Sequence, residues 1–133
     1  MVEVSVTASV KVLGGPTLPV SASLDPDSYT VAALTLGPAG AADEEQTVAL
    51  LPEGGTVVLL AVNARTAGGT AATVTLTAKN GSAEAELGVI GTLLIANAGV
   101  LAALVTDGPR SVTVKNTESD SVTVDIITGL DPI

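Results

Sequence analysis

Between residues 2 and 12 every second residue is aliphatic: Val2, Val4, Val6, Ala8, Val10 and Val12 alternate with Glu3, Ser5, Thr7, Ser9 and Lys11. A period of two places the two sets on opposite faces of an extended strand, whereas a helix would scatter the aliphatic set around its circumference. Further extended runs follow at 20–24, 29–36, 46–51, 56–63, 70–79, 82–90, 92–96, 100–106, 111–115 and 121–128. Short strands separated by turn signals every 8–12 residues or so are the pattern of an all-β fold. The expectation is a single-domain antiparallel β-sandwich, jelly-roll or immunoglobulin-like, of about 8–10 strands.

The breaks between runs have their own chemistry. Gly14, Gly15, Pro16 and Pro19 end the first run, and Asp25-Pro26-Asp27-Ser28 reads as a turn. Residues 37–45, with Gly37, Pro38 and Gly40, form the longest stretch without a period and predict an exposed loop. Asn80-Gly81 predicts a hairpin with a type I′ turn, since both residues tolerate positive φ. Residues 116–120 predict a longer hairpin loop between Ser111-Val-Thr-Val114 and Ser121-Val-Thr-Val124. From 88 to 105 the positions of Leu93, Leu94, Ala98, Leu101, Ala102 and Val105 also suit a short helix, but Gly99 and β-branched neighbours favour strand. No long Ser- or Pro-rich stretch divides the 133 residues, so 1–133 is read as one domain, with 1–13 as an extended N-terminal arm.

Composition narrows the function. The chain has no His, Cys, Trp or Phe and one Tyr, Tyr29. Histidine is the usual acid–base group at neutral pH and cysteine the strongest nucleophile, so the commonest catalytic routes are closed and no enzyme is expected. Without rings there is no stacking platform for sugars or single-stranded nucleic acid. The five basic residues, Lys11, Arg65, Lys79, Arg110 and Lys115, face fourteen acidic ones, and a net charge of −9 repels a polyanion. Only 14% of the residues are charged while 47% are hydrophobic, a balance that favours subunit contacts, whose centres are depleted of charge. Met1 leads straight into the alternating run, with no basic segment and apolar stretch of a signal peptide, so synthesis in the cytoplasm without Sec export is expected. The apolar stretch 89–105 is interrupted by Gly91, Thr92, Asn97 and Gly99 and is too short for a membrane helix.

Carboxylates are the only abundant ionisable groups. Asp25 and Asp27 flank Pro26, and Asp43, Glu44 and Glu45 form a run, but neither has the spacing of a calcium loop. Turn chemistry and a solvated loop account for them, and no metal is expected. Glu84 and Glu86 share one face of a strand, where carboxylates discourage edge-to-edge aggregation; a glycosidase pair would come from different strands with aromatic support. Gly68-Gly69 and the Gly88 to Gly91 pair lack phosphate-loop spacing. No catalytic, cofactor-binding or metal-binding residue is assigned, and no cofactor is expected.

The Gly-rich turn feeding a Thr/Val strand, Asn63-Ala-Arg-Thr-Ala-Gly-Gly-Thr-Ala-Ala-Thr-Val-Thr-Leu-Thr77, and the closing Ser121-Val-Thr-Val-Asp-Ile-Ile-Thr128 resemble the small, cysteine-free, all-β virion proteins of tailed bacteriophages, especially head decoration or cement proteins. The resemblance covers roughly the last two-thirds of the chain and is one of style, without a catalytic motif to carry over. It implies a virion protein that binds a capsid or another virion protein, as a homo-oligomer and by preference a trimer, with neither nucleic acid nor membrane as partner. The residues expected at the interface are Val2, Val4, Val6, Val10 and Val12 of the arm, which can add to an open sheet, and Pro38 and Glu44 of the long loop. The alternatives are that the first run is an ordinary strand of the sandwich, and that the chain is an immunoglobulin-like adhesion or ligand-binding module.

Overall fold

The computed structural model describes residues 4–11, 13–24, 28–50 and 56–131. Its elements in chain order are β1 (Val4–Lys11), β2 (Thr17–Leu24), β3 (Ser28–Leu36), β4 (Glu45–Ala49), β5 (Thr56–Thr66), β6 (Thr73–Asn80), β7 (Ala83–Ile90), β8 (Thr92–Ile95), α1 (Ala98–Leu104), β9 (Ser111–Asn116) and β10 (Val122–Asp131). Two antiparallel four-stranded sheets, in the orders β3-β10-β5-β8 and β4-β9-β6-β7, form the body as an all-β sandwich. β1 and β2 make a separate two-stranded sheet.

The pairing is nested. β3 pairs with β10, β4 with β9, β5 with β8 and β6 with β7, first strand with last, as in one long hairpin folded at the β6–β7 turn. The β10·β5 and β9·β6 ladders then roll that hairpin into two layers. This is the double Greek key of a jelly roll, and it decides between the two sandwiches that the strand spacing allows.

The core follows from alternation. Val122, Val124 and Ile126 of β10, Val62 and Ala64 of β5, Val74, Leu76 and Ala78 of β6, and Val112 and Val114 of β9 are all buried at alternate positions, so both sheets turn an aliphatic face inward. β5 departs from the period. The β10·β5 register shifts between Gly129 and Leu130, leaving Val58 as an extra residue, and Leu59 and Leu60 are both buried although they point to opposite faces. Only a sheet covered on both sides buries adjacent leucines in this way.

Three expectations are corrected. Residues 98–104 are helical where a strand over 100–106 was expected. The Asn97 side chain accepts hydrogen bonds from the N–H groups of Gly99 (2.9 Å) and Val100 (3.2 Å), an N-cap that starts the helix, and Leu101 and Val105, four apart, are buried in the core. The segment 116–120 is not a hairpin loop: β9 and β10 belong to different sheets, so it crosses from one layer to the other. The β6–β7 hairpin forms as expected, but Asn80 pairs with Ala83 and the turn residues are Gly81 and Ser82. Gly81 has φ 61°, and Asp107 is the one non-glycine with positive φ among the described residues, a pattern that fits a type II′ turn with Gly first.

Gly91 marks another crossing, from β7 in one sheet to β8 in the other. Its φ of 76° suits glycine, its carbonyl accepts from Ala64 N–H and its own N–H donates to Ala72 O, so the corner is locked on both sides. A Cβ there would stand 3.0 Å from that of Ala71. Gly91→Ala is expected to lower stability by about 1–3 kcal/mol, read from the urea midpoint. In the opposite direction, Thr128 is fully buried and its hydroxyl has no hydrogen-bond partner among the described residues. Thr128→Val keeps the shape and removes the stranded hydroxyl, and the same denaturation curve is expected to show a gain of about 1 kcal/mol.

Candidate docking surfaces

The two outer faces of the sandwich differ in chemistry. On the β3-β10-β5-β8 sheet, register aligns Val31, Ile127, Ala61 and Leu94 in one row across all four strands. The next row contains Tyr29, Gly129 and Leu59. Towards the other end the face becomes polar, where Arg65 and Asp125 form an ion pair at 2.7 Å beside Thr123.

The separate hairpin lies over the apolar end. Ser5, Val6 and Thr7 of β1 line a groove of about 280 Å³ together with Leu59, Ala61, Leu94 and Ile127. Leu59, though on the outer face, is 2% exposed, whereas Val31 on β3 is 62% exposed and Tyr29 54%. β1 thus lies on the β10–β5–β8 side, and Tyr29 and Val31 of β3 stay exposed.

The opposite sheet presents hydroxyls and charges. Thr47, Thr113, Thr77 and Glu86 form one row, with Thr47 and Thr113 hydroxyls 2.9 Å apart, and Glu45, Lys115 and Thr75 form the next. Glu84 and Glu86 stand exposed on β7, an edge strand.

At one end of the sandwich the two crossovers 37–44 and 117–121 meet around Asn116. This side chain is fully buried; its amide donates to the carbonyls of Gly37 and Asp120, both at 2.8 Å, and its Oδ1 accepts from Glu118 N–H. Asn116 N–H donates to Glu44 O and Ala39 N–H to Glu118 O, so each crossover is hydrogen-bonded to the other or to its neighbour strand.

The residues expected at an interface divide accordingly. Val4, Val6 and Val10 lie on β1, not in either sheet of the sandwich: the arm is one half of a hairpin rather than a lone strand, and β1 is not a sandwich strand. Val2 and Val12 lie outside the described residues, as do Asp25 and Asp27. Pro38 and Glu44 sit in the crossover, which is largely exposed yet pinned: Pro38 O accepts from Ala41 N–H, and a Glu44 carboxylate oxygen accepts from Gly40 N–H at 2.8 Å while the other lies 3.9 Å from Lys115 Nζ. Glu44 therefore braces its own loop. Asp43, Glu44 and Glu45 do not gather into a cation cage; no cluster of three or more potential ligands occurs among the described residues. No described helix is long and apolar enough to cross a membrane. Sequence reasoning missed Asn116 and the outer row of β3, β10, β5 and β8. An isolated Asn at the end of a Val-rich run was the available signal for the first; the second requires the register.

Comparison with protein-family models, curated proteins and solved structures finds no match to this chain.

Asn116→Ala abandons two carbonyl acceptors and one N–H where the crossovers meet, each costing about 1–3 kcal/mol if left buried without a partner. The variant is expected to unfold at clearly lower urea concentration, and Asn116→Asp, which keeps the Glu118 contact but turns a buried carboxylate oxygen toward the Gly37 and Asp120 carbonyls, to unfold at least as early.

Proposed function

We propose that this chain is a non-enzymatic structural protein of a phage or phage-like particle, a decoration or cement protein that acts in the virion by binding a capsid protein or another virion protein. What carries the reading is the N-terminal hairpin: among the described residues β1 and β2 ladder only with each other, and β1 lines a groove with an apolar face of the jelly-roll body. A strand pair that is not part of the body's hydrogen-bonded sheets is free to extend another chain's sheet without dismantling its own fold. The jelly roll, an architecture shared by viral capsid domains among others, supports the same reading by analogy. The division of the surface into an apolar side and a hydroxyl-rich, charged side suits a subunit that faces a shell on one side and water on the other.

The acidic surface keeps the free protein soluble until it binds, because like-charged molecules repel at low ionic strength. Binding to the assembled shell then stabilises the shell by mass action, since a ligand of the assembled state shifts assembly toward it.

The test uses particles purified by density gradient from the source of the gene and probed with antibody to this chain. The chain is expected to sediment with the heads, and a version lacking residues 1–27 to fold, by circular dichroism, yet to remain at the top of the gradient. A full-length chain found only as free protein would overturn the proposal.

A further inference from the structure

The edges of the two sheets are guarded unequally. β7 carries Glu84 and Glu86, β4 is five residues long with Glu45 at its start, and β8 has only four residues before the Asn97 cap. Charge and shortness are the usual protections of an edge. β3 has neither. It runs for nine residues, Ser-Tyr-Thr-Val-Ala-Ala-Leu-Thr-Leu, without a charge, in a chain of net charge −9.

Its free hydrogen-bonding groups can be identified. In an antiparallel strand the N–H and C=O of one residue point to the same side, and successive residues point to opposite sides. Thr35 O accepts a hydrogen bond from the Gln46 side-chain amide at 3.0 Å, from β4 in the other layer, which places Thr35 among the residues that face away from β10. Tyr29, Val31 and Ala33 share that direction. Their side chains are also the exposed outer set of β3. Gln46 closes the seam at Thr35, leaving these three residues with both groups presented along the open edge.

We propose that β3 is a homodimer seam: two copies of this chain join antiparallel through β3 about a twofold axis at Val31, making one continuous eight-stranded sheet. The occupant is a second copy because the edge is self-complementary. A twofold axis at Val31 pairs Val31 with Val31, Tyr29 with Ala33 and Ala33 with Tyr29, and each pair exchanges two hydrogen bonds. A centre at Tyr29 or Ala33 would leave open groups unused or require the carbonyl that Gln46 already holds. On the outer face the Tyr29 ring lies across the small Ala33 of the other copy, while Val31 meets Val31, extending the Val31–Ile127–Ala61–Leu94 row from one copy into the next. Electrostatics favours the same place. Two copies of charge −9 approach with least repulsion along a charge-free strand, and the nearest acid on the adjacent strand, Asp125, is paired with Arg65. The seam concerns self-association alone and goes beyond the particle reading, which stands or falls with the gradient experiment.

The test is multi-angle light scattering of the full chain over a range of concentrations, with Val31→Lys and Val31→Asp alongside it. The parent is expected to reach twice the 13.0 kDa chain mass. Each variant places like charges face to face at the axis and is expected to weaken the dimer roughly 100-fold, with its circular dichroism unchanged because the side chain is exposed and its melting temperature lowered only by the lost association. An equimolar mixture of the two variants is expected to restore the dimer, as Lys then faces Asp. Ala33→Pro, which removes the outward N–H meant for Tyr29 of the other copy and spares the β10 ladder, is a second block should either Val31 variant fail to fold. A parent that stays monomeric at all concentrations would overturn the seam. So would the trimer that the decoration-protein resemblance implies, or a dimer indifferent to both charges.

Discussion

Asn116 is the fully buried polar side chain around which the two crossovers between the layers are joined. It ends β9, sits fully buried, and uses its amide and carbonyl on three backbone groups drawn from the two crossovers that meet at that end of the sandwich. An aliphatic residue there would leave those groups dry and unpaired, and a charged one would have no counter-ion in the cluster. The consequence is geometric as well as energetic. With the first and last crossovers of the body fixed to each other, β3 must lie beside β10 and β4 beside β9, which are the outer pairs of the nested jelly roll. Chains of Val, Leu and Ala fill a core but do not choose among neighbours; a buried hydrogen-bonded group does, because its partners are few and specific.

The core itself shows what an aliphatic inventory allows. With no Phe or Trp, and with Tyr29 on the surface, the hydrophobic core cluster among the described residues is built of Ala, Val, Leu and Ile. Such side chains are short, so close packing between the sheets depends on regular alternation and on a plug at the end, which α1 supplies by inserting Leu101 and Val105. The β-bulge at Val58 serves the core: it brings Val57 inward beside Leu130, while Leu59, outward by ordinary alternation, is the apolar residue of the outer face that lines the groove with β1.

The body is two-sided. One outer face offers Val31, Ile127, Ala61 and Leu94 in a row, partly roofed by β1; the other offers a ladder of threonine hydroxyls with Glu and Lys among them. Desolvating the first face costs little and gains apolar burial, whereas desolvating the second strands hydroxyls and charges. Association is therefore favoured on the hairpin side whatever the partner.

Strand positions were legible in the sequence wherever one face is wet and the other dry, as in the runs that became β6, β9 and β10, because alternation is a local property with a fixed period. Legibility failed where a local signal had two readings. Asn97 is a loop residue in a strand reading and a cap in a helical one, and what decided was the burial of Leu101 and Val105 in a core assembled by distant strands. It failed again at 116–120, since a polar loop between two similar strands looks the same whether the chain turns back within a sheet or crosses to the next. The sequence alone determined an all-β, acidic sandwich with a single aromatic ring and an alternating N-terminal segment. Tertiary structure decided the nested strand order, the central place of Asn116, and which outward apolar residues are covered, Leu59, and which are left open, Val31. Period determines the side of a strand on which a residue falls, but neighbours are set by pairings between residues tens of positions apart, which no local pattern encodes.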